Sequence, residues 1–275
     1  MKIIDCFLFY NETELLTYRL NILNNVVDYF VIVEATHTFA GMPKNCIFEQ
    51  LKQTEPFLKF RDKIIHVIVD DFPYIYPNIQ YAIYEEGGQQ WQNEHHQRNC
   101  IARGLERLPL KNVDVITVTD VDEIPDPALL TNIKNKRILV TLNILEMDFY
   151  YYNLNSKVRQ QWHLAKIVSF WTYKEVGLAF QYYRHIRCPG QMLQRGGWHL
   201  SYFGDANYIK NKIENFSHQE LNTREFTDTN KIEERVANCG DLFERINNPI
   251  SKISVYHNNY LPPDCYNYLS TYIMF

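Results

Sequence analysis

The sequence predicts an α/β fold, a mixed sheet flanked by helices in a single domain covering residues 1–275. Three observations predict it. Strand-like and helix-like segments alternate through the first 155 residues, and strands separated by helices imply βαβ units and a mainly parallel sheet. The composition, 46% apolar and 22% charged over 275 residues, is that of a globular chain able to bury a sizeable core, and it excludes a disordered one. No Pro/Gly/Ser linker, internal repeat or low-complexity segment divides the chain.

The elements follow in order. Lys2 to Tyr10 is a short apolar strand, and Glu12 to Asn25 carries the helical stripe Leu15, Leu16, Arg19, Leu20 and Leu23. Val26 to Ala35 is a β-branched strand, Cys46 to Lys59 a helix and Lys63 to Val69 a third strand. Asp70 to Tyr84 is rich in Pro and Tyr and reads as a loop. Gly88 to Leu108 is a helix with polar residues on more than one face, and Val113 to Thr119 is a fourth strand that ends in acids. The second half is less regular. Arg137 to Asn153 and Lys166 to Tyr173 read as long antiparallel strands, Gly196 to Tyr202 as a turn leading into a strand, and Tyr208 to Phe216 and Lys231 to Asn238 as helices.

In open α/β sheets the ligand sits at the carboxyl ends of the strands. That singles out Glu34, Asp70, Asp71 and the run Asp120 to Glu123. The strongest signal is Thr119-Asp120-Val121-Asp122-Glu123-Ile124-Pro125. Two carboxylates at i and i+2 after a buried strand can hold one hard divalent cation, Mn²⁺ or Mg²⁺, which shares its oxygen ligands with substrate phosphates. Such a cation neutralises charge building on a departing diphosphate. The competing reading is a solvated acidic turn ahead of a helix that Asp126-Pro127-Ala128 would start.

Arg98, in Gln97-Arg98-Asn99, either pairs with Glu94 at i, i+4 or reaches a phosphate. His95 and His96 are adjacent, hence on different faces, and read as a solvated pair. In Gly196-Gly197-Trp198-His199 the glycines permit close backbone approach, Trp198 can stack on a sugar, and His199 can join a metal held by carboxylates or be a hydrogen-bonded core histidine. His218-Gln219-Glu220 offers a ligand and a base, or a water-exposed loop.

Other functions are excluded by composition. A formal net charge of −4 gives no global basic footprint for nucleic acid. Twenty Tyr against ten Gly suits half-buried packing and, at a site, sugar or base stacking. The N-terminus reads as a strand and not a signal peptide, and no run approaches the roughly 20 apolar residues of a transmembrane helix. The cysteines (Cys6, Cys46, Cys100, Cys188, Cys239, Cys265) are scattered without a C-x-x-C pair, which argues against a zinc knuckle or disulfide framework and for a reduced compartment, cytoplasmic or otherwise soluble. The sequons at Asn11 and Asn215 carry no weight without a secretory signal.

In this order the motifs resemble glycosyltransferase family 17. They are Asp5-Cys6-Phe7 with Asn11-Glu12, Val33-Glu34 with Thr38-Phe39-Ala40-Gly41 and Lys44, Gln97-Arg98-Asn99, Asp120 to Pro125, Gly197 to Ser201, and Phe216 to Glu220. The resemblance runs from about residue 3 to about residue 245. It implies a GT-A-like, Rossmann-type fold with a nucleotide-sugar-binding half (about 1–125) and an acceptor-binding half (about 126–275). It also implies a nucleotide-sugar donor, most simply a UDP-sugar such as UDP-GlcNAc, a glycan or other hydroxyl acceptor, Mn²⁺ or Mg²⁺, and inversion at the anomeric carbon. Asp122 would be the direct metal ligand and Asp120 nearer the ribose or a metal-bound water, with His199 or His218 as a further ligand. Glu34, Lys44, Arg98, Asn99 and Trp198 would serve the nucleotide sugar. Inverting transfer needs a general base. Glu220 and Asp205 lead, with Glu146 and Asp148 as further candidates. Two rival readings are a non-catalytic sugar-binding protein of the same fold and a metal-dependent phosphohydrolase with Asp5 as its nucleophile.

Overall fold

The computed structural model describes residues 1–83, 87–186 and 191–274. β1 (Ile3–Phe9) is buried along its whole length, because both faces of the sheet are covered. Ile3, Phe7 and Phe9 face one hydrophobic cluster, which includes Leu15, Leu16, Leu20 and Leu23 of α1 (Thr13–Leu23). Ile4, Cys6 and Leu8 face the other. This period-2 division is what a doubly covered strand requires.

β2 (Tyr29–Ala35), α2 (Ile47–Leu51) and β3 (Ile64–Val69) follow. The helix expected over Cys46 to Lys59 is cut short: Pro56 lacks an N–H and cannot continue it, and only a 3₁₀ turn at Leu58–Phe60 succeeds α2. The loop expected from Asp70 is irregular as far as Ile83, and Tyr84 lies outside the described residues. The helix expected over Gly88 to Leu108 is two, α3 (Gln89–Asn99) and α4 (Ile101–Leu105), parted at Cys100. The break lets α4 lie close on the sheet, where a Cβ on Gly104 would come within 2.4 Å of Val31.

β4 (Val115–Asp120) runs into the first acid of the D-x-D, and β5 (Glu123–Pro125) starts one residue after the second. α5 (Pro127–Lys134) begins at the expected cap, with the Asp126 side chain accepting from the Ala128 N–H. Then come β6 (Leu142–Tyr151), β7 (Ser156–Val158) and β8 (Lys166–Ser169). β8 ends four residues short of expectation because the Ser169 side chain caps α6 (Phe170–Val176). α7 (Phe180–His185) precedes β9 (Met192–Ser201).

The glycine pair of β9 lies inside a strand and not in a turn. Gly197 has φ +141°, and a Cβ there would sit 2.1 Å from the Ile124 carbonyl oxygen, so only glycine lets β5 pair with β9 here. α8 (Ala206–Asn215), α9 (Arg224–Thr227), α10 (Thr229–Ala237), β10 (Ile250–Lys252) and α11 (Cys265–Tyr268) complete the chain. The C-terminal stretch covers the core with Cys265, Leu269 and Ile273.

Among the described residues one ten-stranded mixed sheet runs β10-β7-β6-β8-β4-β1-β2-β3, with β9 beside β6 and β5 on β9. β3, β2, β1 and β4 are parallel, and β8 lies antiparallel to both β4 and β6. The chain leaves β1 for β2 on one side and later returns to β4 on the other. Such a switch point opens a crevice at the carboxyl ends of the two strands. Cys6, Cys46, Cys100, Cys239 and Cys265 are free thiols, and Cys188 lies outside the described residues.

Candidate functional site

A cavity of about 620 Å³ opens at that switch point, lined by Leu8 to Tyr10 after β1 and by Asp120 to Asp122 after β4. α3 supplies Trp91, Glu94, Gln97 and Arg98. The back half supplies Phe149, Tyr151, Trp162, His199, Tyr202 and the end of α8 with the loop that follows it.

The D-x-D turn is braced from below. Arg19, fully buried on the apolar stripe of α1, forms a two-pronged pair with Asp5 at 2.7 and 2.8 Å. Its Nη1 also donates to the carbonyls of Asp120, Val121 and Glu123 at 2.7, 3.1 and 2.8 Å. An ion pair beneath the sheet therefore fixes the backbone that presents the acids above it.

Asp120 accepts from Arg98 Nη1 through Oδ1 and from Arg184 Nη2 through Oδ2, both at 2.6 Å. Burial alone would raise its pKa, but Arg184 and Arg98 outweigh that and hold it below the ordinary carboxylate value. Asp122 accepts from Lys212 Nζ through Oδ2 at 2.8 Å. Its Oδ1 lies 3.6 Å from His199 Nε2. Here too burial pushes upward, and Lys212 with His199 pulls the carboxyl well below its usual range. The same pairing lifts the Lys212 ammonium far above the ordinary lysine value, against the downward push of burial. Glu123 is fully buried and structural: it holds Arg184 and accepts from Trp162 Nε1 at 2.6 Å.

Lys44, Arg98, Asp120, Asp122, His199 and His218 all line the cavity. Lys44 Nζ stands 3.7 Å from Glu34 Oε1 and 5.5 Å from the centre of the Tyr10 ring. The other sequence candidates do not line it. Glu34 turns under the sheet end and accepts from the Phe48 N–H at the start of α2 and from His66. Asn99 accepts from the Gln181 N–H at the start of α7. Trp198 is buried on the opposite face of β9 from His199, where its Nε1 donates to the Tyr260 carbonyl, so no sugar can reach it. Asp205 is the N-cap of α8. Glu146 pairs with His163, Asp148 with Lys157, and Glu220 with His218.

Sequence reasoning missed Arg184 and Lys212 and did not see what Arg19 does. Only Arg19 left a signal, since a charge inside an apolar stripe needs a buried partner. Away from the cavity, Asp71, His96 and Cys100 lie together, but Arg103 forks onto Asp71 at 3.0 and 2.6 Å. That group is an ion-pair brace from α3 and α4 to the loop after β3, and burial pushes the Cys100 thiol up to about 11.

Residues 1–254 match the profile of glycosyltransferase family 17. The chain belongs to that family. Curated relatives include the beta-1,4-mannosyl-glycoprotein 4-beta-N-acetylglucosaminyltransferases of Homo sapiens, 32% identical over 119 residues, and Rattus norvegicus, 30% identical over 128 residues. These stretches are 42% and 45% of this chain, and 20% and 22% of the relatives. This family 17 chain thus spans about a fifth of the length of the curated relatives it matches. No helix among its described residues is long and apolar enough to cross a membrane.

Asp122 and His199 fit a divalent cation. They offer one carboxylate oxygen and one imidazole nitrogen 3.6 Å apart; the carboxylate is the donor suited to Mn²⁺ or Mg²⁺, and the imidazole suits a transition ion better than Mg²⁺. His199 packs against both Phe149 and Trp162, which also touch each other, with its Nδ1 buried and unpartnered among the described residues. Among the described residues its polar approach is toward Asp122.

Proposed function

We propose that the chain is an inverting glycosyltransferase of GT-A type that moves a sugar from a nucleotide-sugar donor to a hydroxyl of a glycan. The observation that carries this reading is the D-x-D at the β1/β4 switch point with Arg98, Arg184 and Lys212 each within 2.8 Å of its carboxylates. A nucleoside diphosphate leaving group is anionic, and cations fixed beforehand stabilise it without reorganising during the reaction. Arg98 and Arg184, steered by Asp120, and Lys212, steered by Asp122, face the cavity for that task. Asp122 and His199 would hold Mn²⁺ or Mg²⁺, which when bound would neutralise charge on the diphosphate. The front half of the chain, with Arg184, His199 and Lys212 reaching in from the back half, serves the donor, and the rest of the back half the acceptor. UDP-N-acetylglucosamine is the first donor to try, on the names of the relatives. The phosphohydrolase reading loses its nucleophile, since Asp5 is fully buried on Arg19 and does not line the cavity.

The test is a thermal-shift panel of UDP- and GDP-sugars with and without Mn²⁺, followed by NMR of the product's anomeric configuration. A ligand at a hundredfold excess over its Kd adds about 2.7 kcal/mol of apparent stability. One nucleotide sugar should stabilise the protein, and its α-linked sugar should emerge β-linked. A panel without any shift would remove the proposal.

A further inference from the structure

We infer that His218 is the general base of the transfer, held in place by Glu220; the inference rests on the glycosyltransferase reading above. The carboxylates that line the cavity are committed elsewhere. Asp120 and Asp122 are bound by the arginines and Lys212. Glu12 accepts the backbone N–H groups of Tyr10 and Asn11 at 3.1 and 3.0 Å and faces Lys212 at 3.7 Å. Glu94 accepts from Arg98 at 2.8 Å and from the Ser217 hydroxyl at 2.5 Å. The oxygens of all four are thus engaged by cations or by N–H and O–H donors.

His218 is placed differently. Its ring lines the cavity, while Nδ1 lies 2.7 Å from Glu220 Oε1, and Glu220 itself does not line the cavity. That contact fixes the tautomer: Nδ1–H donates to the carboxylate, which leaves the Nε2 lone pair on the opposite side of the ring. Trp91 packs edge-on at 4.5 Å and Phe216 lies tilted at 5.5 Å, so two rings bear on an imidazole that is otherwise half exposed. The other carboxylate oxygen, Glu220 Oε2, is buried without a partner among the described residues, leaving the charge to act on the imidazole. The adjoining Ser217 is linked through Glu94 and Arg98 to Asp120, so the base and the D-x-D share one network.

The step balances. The acceptor oxygen bonds to the anomeric carbon as its proton passes to Nε2. The bond from that carbon to the donor phosphate breaks, and its electron pair leaves with the diphosphate. The imidazolium, stabilised by Glu220, then releases the proton to water. Glu220 is thus a positioning residue, not the base that the sequence suggested, and His218 is the base, not a metal ligand.

The experiment uses UDP-N-acetylglucosamine and Mn²⁺ with two nucleophiles: water, which must lose a proton, and azide, which has none to lose. His218→Ala should slow turnover with water by about 10²- to 10⁴-fold while calorimetry shows unchanged donor affinity, and azide should restore the rate. Glu220→Ala should fall less, and Glu220→Gln, which still accepts from Nδ1, less again. Turnover close to wild type in His218→Ala would overturn the assignment. So would loss of turnover with both nucleophiles, or loss of donor affinity, since either places His218 in donor or metal binding. If the wild type neither binds nor turns over any nucleotide sugar, the glycosyltransferase reading itself falls and the base assignment falls with it.

Discussion

The two walls of the cavity solve different problems. The front wall, from the ends of β1 and β4 with α3, α7 and Lys212 of α8, is charged, and its charges are paired at 2.6 to 2.8 Å. The back wall is a chain of rings: Phe149 and His199 stack in parallel at 4.6 Å, Trp162 leans tilted on both, and Tyr151, Tyr202 and Phe243 continue it edge to face. Arg245 closes that chain by donating to the Tyr151 hydroxyl at 2.7 Å. Paired cations are set in advance for an anion that arrives and departs, whereas ring faces favour a neutral, partly apolar partner such as a sugar. His199 belongs to both walls. The front wall should therefore fail sharply when one group is removed, and the back wall should fail by degrees.

The sharpest break is behind the front wall. Arg19→Met leaves Asp5 buried without its partner and releases three carbonyls of the D-x-D turn. Chemical denaturation should register a loss of about 3–5 kcal/mol. An unchanged midpoint would mean that the wall does not depend on its brace. Within the wall, Lys212→Met should lower kcat by about 10²- to 10³-fold, the cost of losing one preorganised group on developing charge. Steady-state kinetics would contradict this if only KM moved.

On the back wall, Phe243→Leu should act mildly. An acceptor KM raised by about two- to tenfold, with donor KM constant, corresponds to one lost aromatic contact. Equal effects on both substrates would erase the division between the walls.

The smallest effect is on pH dependence. Asp120 and Asp122 are shifted down, so their stabilisation is complete above the ordinary carboxylate value of about 3.9 and is lost as pH falls below it. Lys212 is shifted up, so its share is complete below about 10.4 and is lost as pH rises through its folded value. The unfolding temperature should therefore be flat between these limits and fall in acid, with a shallower acid-side fall in Lys212→Met. A scan that shows the same acid slope in both proteins would contradict the pairing of Asp122.

The parallel strands were legible because each is a β-branched or apolar run, and the D-x-D was legible because it follows one of them. The rest depended on distant partners. β5 is three residues long and exists only through its pairing with β9, where Gly197 reads locally as a turn. β8 stops where Ser169 caps a helix, a choice made by one side chain. Arg184 and Lys212 meet the D-x-D from 64 and 90 residues away, and no local pattern marks them. Glu34 and Trp198 had the right residue types near the right strand ends, but strand alternation turns both away from the cavity.

The most direct measurement is calorimetric titration of UDP-N-acetylglucosamine into the wild type and Asp122→Ala, each with and without Mn²⁺. The account predicts one-site binding that needs Mn²⁺ in the wild type and is lost in the variant. Binding that is absent from the wild type, or equal in the variant, would contradict it.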